Sequence, residues 1–136
     1  MQMTLIKNTD MYATQAYKIA RVVYAQTGAT SLAGVEALTS MIKNLSDKSG
    51  RSIENIISDK NIFDVLDKNS QNHHRINVPA NNHAFQMCVR VASRMLAGGL
   101  IDMTFGATKF HHTDTLPQWA VARGYIADID GMLFYL

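Results

Sequence analysis

ARVVYAQTGATSLAGVEALTSMIKN, residues 20–44, runs an apolar helical stripe up to a single amide, then a glycine-containing loop, then a second helix. Ile19, Val22 and Val23 recur at helical spacing. Gln26 falls four residues after Val22 and three after Val23, so it lies on the face that burial should claim. A polar side chain there must find hydrogen bonds or line a cleft, because burying it unpaired costs roughly 1–3 kcal/mol. Position 26 is therefore the first place to look for chemistry.

Outward from this stretch, residues 10–26 read as a first helix with Asp10 as N-cap. Ser31 caps a second helix that runs to about Lys48 and carries Leu32, Val35, Leu38, Met41, Ile42 and Leu45 on one face, and Ser49-Gly50 stops it. A short helix is expected over Ser52 to about Ser58. Residues 59–83 are polar, rich in Asn and His and broken by Pro79, so they read as loop with one helical turn at 62–67; loops of that length are often functional. Asn81 or Asn82 caps a long amphipathic helix that Gly98-Gly99 ends. Residues 107–112 look extended, and 125–136 read as a hairpin turned by Asp130-Gly131. The expected fold class is α+β, predominantly α, as one domain over 1–136 with a small C-terminal β element.

The chain's 136 residues are enough for a core without staples, and 47% of them are hydrophobic. With 13 basic against 11 acidic residues, the net charge of +2 is too small to argue for a nucleic-acid partner. A pI near 8.8 fits loose attraction to an anionic polymer. Cys88, the one cysteine, sits at helical spacing with Phe85, Val89 and Ala92 and reads as a small core residue. No stretch approaches the roughly 18 apolar residues of a membrane span. The N-terminal residues carry no visible signal peptide, so the expectation is a protein cytoplasmic before release or exported by another route.

The five histidines include two adjacent pairs, His73-His74 and His111-His112, and neighbours in a strand point to opposite faces. With no metal-ligand spacing present, neither a metal nor another cofactor is expected. One of His111-His112 is expected to line a groove while the other is structural or solvated. Nucleophilic catalysis and phosphate binding have no local signature either. Phe110, Trp119, Tyr125, Phe134 and Tyr135, together with His111, His112, Gln118 and Arg123, form a cluster of aromatic faces and polar tips. Such a cluster suits a pyranose, which has apolar CH faces and a polar rim; ordinary core packing is the competing reading.

Taken in series, Ala20-Arg-Val-Val-Tyr-Ala-Gln26, Leu32-Ala-Gly34, Met41-Ile-Lys-Asn44, Gly106-Ala-Thr-Lys-Phe-His111, Pro117-Gln-Trp119-Ala120 and Ile129-Asp-Gly-Met-Leu-Phe-Tyr135 resemble the spore-cortex-lytic cell-wall hydrolases of the SleB/CwlJ type. Order and gaps agree from about residue 17 to the C-terminus. The resemblance implies a lysozyme-like fold that cuts the MurNAc-β-1,4-GlcNAc bond of peptidoglycan as a lytic transglycosylase, acting in the periplasm or cell wall. It implies a peptidoglycan glycan strand as partner and a monomer that does not insert in membranes. The family's catalytic Glu maps onto Gln26. By analogy Tyr24 supports that position, and Thr30, Thr108, Phe110, His111 and Trp119 contact the glycan.

The chain departs from the family at two of these places. Gln26 has no proton to give a leaving alkoxide, and a second family Glu corresponds to Thr30. Glu36 and Glu54 are the only glutamates, and neither occupies the acid position. The expectation from this alignment is an inactivated peptidoglycan glycosidase. An exchange made to trap substrate fits the retained Tyr24, GAT strand and Trp119. A native glycan-binding or partner-binding pseudoenzyme is the rival, supported by the loss at Thr30. An amidase is disfavoured for want of a metal or thiol arrangement.

Overall fold

A computed structural model describes residues 11–136. Helix α1 spans Met11–Thr27 and turns Ala16, Ile19, Ala20, Val23 and Ala25 into the core, each at most 1% exposed. The proposed cap Asp10 lies outside the described residues. Helix α2, Leu32–Ser49, starts at Ser31, whose hydroxyl accepts from Gly34 N at 3.0 Å, and it stops at Gly50 in the left-handed region (φ 75°). The short helix α3, Ile53–Ile57, is capped by Ser52. Helix α4, His83–Leu96, is capped by Asn82, and its stripe of Phe85, Cys88, Val89, Ala92 and Met95 packs mainly on α1. Phe85 anchors that contact, with Tyr17 and Tyr24 edge-on to its ring and the Arg21 guanidinium 5.0 Å from the ring centroid.

The segment between α3 and α4 has more order than its composition suggests. The turn expected at 62–67 is a 3₁₀ turn at Asp64–Leu66, and a second one, not foreseen, covers His73–Asn77. The C-terminal part is a three-stranded antiparallel sheet. Strand β3 (Met132–Tyr135) lies between β1 (Lys109–His112) and β2 (Ala127–Ile129). Asp130 (φ 50°) and Gly131 (φ 75°) make the two-residue turn with both φ positive, as the Asp-Gly pair predicts.

This turn is tied to the start of α2. Asp130 Oδ2 accepts from Thr30 Oγ1 at 2.8 Å and Ser31 Oγ at 2.9 Å, which the absence of a side chain at Gly34 permits. A Cβ on Gly34 would meet Asp130 Oδ2 at 2.7 Å. A second clasp forms at Asp102, before β1. Its carboxylate accepts from Thr104 N, Thr104 Oγ1, Gly106 N and Asn44 Nδ2, while Asn44 also donates to Ala107 O at 3.1 Å. Burial pushes the Asp102 carboxyl up, but the bonds from Thr104, Asn44 and Gly106 outweigh it and hold the group below the usual carboxylate range.

Both clasps can be tested by stability. Gly34→Ala is expected to cost about 1–3 kcal/mol, read as a lower Tm, because overpacking displaces the Asp130 carboxylate. Asp102→Asn is expected to lose about 1–3 kcal/mol near neutral pH, since its amide nitrogen would face donors. A carboxyl held low stabilises the fold above its ordinary pKa of about 3.9 and gives that stability up as pH falls through its lower folded value. Melts from pH 7 to 2 should therefore show a shallower acid decline in Asp102→Asn than in the parent.

Candidate active site

The last turn of α1 presents Gln26 on the buried face, 4% exposed. What it meets comes from far along the chain. The segment carrying Asp64 is fixed at both ends and in the middle. Arg51 Nη2 bonds Asp59 Oδ2 at 2.9 Å, His73 Nδ1 donates to Val65 O at 2.7 Å, and Arg21 Nη1 donates to Ile76 O and Val78 O, both at 3.0 Å. The Arg51 hydrogen bond leads in holding the Asp59 carboxyl below its usual range. Phe63 and Val65 are buried on either side of Asp64, which leaves the Asp64 carboxyl at the surface.

Strand β1 supplies the third part. Phe110 turns into the core against Phe63 and Phe134, and His112, two residues on, shares its face. Gln26 Nε2 donates to Asp64 Oδ1 at 2.9 Å and lies 2.8 Å from His112 Nε2, which accepts its other proton. The amide must point its nitrogen this way, because a carboxylate offers no proton to an amide oxygen. In the neutral His112 ring the proton then sits on Nδ1. Among the described residues, Gln26 Oε1 is buried without a protein partner.

Gln26, Asp64, His111, His112, Pro117 and Trp119 border a cleft of about 210 Å³. Asn61, Ile62, Phe110 and Trp119 also wall a neighbouring cavity of about 240 Å³, where Thr108 and Lys109 join them. The two form one trough past an aromatic wall. Trp119, 36% exposed, stands edge-on to Tyr135 with its centroid 5.0 Å away, and Lys109 Nζ lies 5.5 Å from its ring centroid.

Of the residues expected to contact glycan, Phe110, His111 and Trp119 border the cleft with Gln26, whereas Thr108 lines only the neighbouring cavity. Of the histidine pair one was expected to line a groove, but both border the cleft. His112 reaches Gln26, whereas His111 is 8% exposed, donates from Nδ1 to His112 O and meets the Tyr135 hydroxyl at 2.7 Å. Tyr24 and Thr30 line neither cavity. Tyr24 packs on Phe85, and Thr30 serves the Asp130 clasp. Glu36 and Glu54 pair with Arg94 and Lys18 away from the trough. Burial pushes the Cys88 thiol up to about 12, which suits an inert core residue. Asp64 and Asn61 were missed by sequence reasoning. The only signal for them was the length of their polar loop and the turn expected at 62–67.

Among the described residues no three His, Cys, Asp or Glu side chains cluster as metal ligands, and no helix is long and apolar enough to cross a membrane. The family model described as Cell Wall Hydrolase matches residues 29–135. The chain belongs to the cell wall hydrolase family. No protein of curated function matches it. Its fold is similar to the catalytic domain of the Bacillus cereus SleB protein, at TM-score 0.69 and 18% identity, covering 99% of this chain and 98% of that one. It is similar also to the catalytic domain of the germination-specific lytic transglycosylase SleB from Bacillus anthracis, at TM-score 0.69 and 18% identity, covering 96% of this chain and 100% of that one. These likenesses show a lysozyme-like, mostly helical fold. The family match begins after Gln26.

Trp119 forms the trough wall without filling the core. Replacing it with Ala should weaken retention on purified peptidoglycan about tenfold in a co-sedimentation assay, with a much smaller change in Tm.

Proposed function

We propose that this cell wall hydrolase is built to cleave the MurNAc-β-1,4-GlcNAc bond of peptidoglycan by lytic transglycosylation. The observation that carries the reading is the trough itself. It has an aromatic wall suited to sugar faces, and it brings one carboxyl, Asp64, and one imidazole, His112, to the buried amide nitrogen of Gln26. The name of the B. anthracis neighbour, a lytic transglycosylase, supports the same reaction class. The reaction needs no metal or cofactor, and the place of action is the cell wall.

In this reaction one carboxyl first gives its proton to the glycosidic oxygen. It then takes a proton from the muramoyl 6-hydroxyl as that oxygen closes on C1, leaving a 1,6-anhydro end. Position 26 is where the resemblance puts that carboxyl. An amide there has no proton to donate, so no turnover passes through Gln26, and a chain limited to position 26 would bind glycan without cutting it. A glutamate at this position would face the Asp64 carboxylate, and like charge so close favours its protonated form, the state a general acid needs.

The Gln26→Glu form is therefore expected to release anhydro-muropeptides from purified peptidoglycan, read by mass. Hydrated reducing ends would make it a muramidase instead. Retention on peptidoglycan with no soluble product would favour the glycan-binding reading, for which the two hydrogen bonds of the Gln26 amide nitrogen are the supporting observation.

A further inference from the structure

We propose that Asp64 is the catalytic carboxyl of this chain, doing from the opposite wall of the cleft what the amide at position 26 is unable to do. The inference rests on the glycan-cleavage reading above. Among the described residues, Asp64 is the one carboxyl that lines the cleft beside Gln26. Its Oδ1 is fixed by Gln26 Nε2 at 2.9 Å, and among the described residues its Oδ2 has no protein partner, so one oxygen is anchored and the other is open to a ligand. The amide gives both its protons to acceptors that border the cleft, Asp64 and His112, and among the described residues its own carbonyl is buried with no protein partner. An orphaned buried carbonyl is costly, and an apolar side chain of similar size would avoid that cost. What the amide provides in return is the direction of a carboxyl at the reacting end of the trough.

The chemistry balances on that one group. Asp64, protonated, gives its proton to the glycosidic O4 as the C1–O4 bond breaks. The resulting carboxylate takes the proton of the muramoyl 6-hydroxyl as O6 bonds to C1. Net, one proton passes from O6 to O4, one C–O bond replaces another, and Asp64 ends as it began. His112 accepts from the same nitrogen and so keeps the amide from turning its oxygen toward Asp64.

The test is release of anhydro-muropeptides from purified peptidoglycan by four forms of the 136-residue chain: the parent, Asp64→Asn, Gln26→Glu, and Gln26→Glu combined with Asp64→Asn. Asn keeps an oxygen for Gln26 Nε2, and a thermal melt checks each fold. The parent should release product. Asp64→Asn should fall about 10²–10⁴-fold, the usual worth of a general acid, with retention on peptidoglycan unchanged. The combined form should recover release, because the glutamate introduced at position 26 then supplies the proton. A silent parent beside an active Gln26→Glu form overturns the role of Asp64 and leaves the function standing. Parental rates in Asp64→Asn overturn it as well. A dead combined form beside an active Gln26→Glu marks Asp64 as structural and overturns it too. Silence in both the parent and Gln26→Glu overturns the cleavage reading, and this inference with it.

Discussion

The site depends on a single nitrogen. Gln26 Nε2 bonds a carboxylate 38 residues later and an imidazole 86 residues later, so one buried amide ties the end of α1 to the α3–α4 segment and to β1. These three elements share no local sequence logic, and their meeting is a consequence of packing. α1 must bury its stripe on α4, and that fixes where Gln26 ends up. Strand β1 must turn Phe110 toward Phe63 and Phe134, and that fixes the face from which His112 projects. The core thus aims the polar groups, and the amide only joins what the core has already brought within reach.

The segment over residues 59–83 shows how a polar stretch becomes part of a rigid site. It buries little beyond Phe63, Val65 and Val78, too few apolar side chains to hold its course alone. Its backbone carbonyls take up the difference. Val65, Ile76 and Val78 each accept from a side chain, His73 in the first case and Arg21 in the other two. A carbonyl satisfied by a side chain from a packed helix is positioned nearly as firmly as one in a ladder. Arg21 also stacks over Phe85, so the same residue that braces this segment is locked to the α1–α4 contact.

Much of the fold was legible because its signals are local. Ser31, Ser52 and Asn82 cap helices within three residues of themselves, and Asp130-Gly131 is one of the few pairs that readily take positive φ at both turn positions. Gln26 was legible as a polar residue on an apolar face, and its aromatic companions by their clustering. Asp64 was not, because an aspartate in an Asn-rich polar run looks like any solvated loop residue until a distant helix puts an amide beside it. Thr30 illustrates the converse. Its place in the motif suggested the glycan, but a hydroxyl that reaches a turn carboxylate 100 residues away is engaged in closing the fold. Tyr24, two residues from Gln26 on a helix, faces another side and joins the aromatic contact on Phe85.

The electrostatic character of the cleft follows from what surrounds position 26. Both neighbours present lone pairs, so the pocket selects a group that brings protons. A neutral amide satisfies it with two at any ordinary pH. An ionised carboxylate would bring none and would set like charge against Asp64, whereas a protonated one would bring one and leave the second acceptor to be met by other means. The pocket therefore favours a neutral, proton-bearing group at position 26, which the amide is. The same constraint links position 26 to position 64. A change from carboxyl to amide at one alters the charge balance felt at the other, so the two are coupled across two elements of the fold.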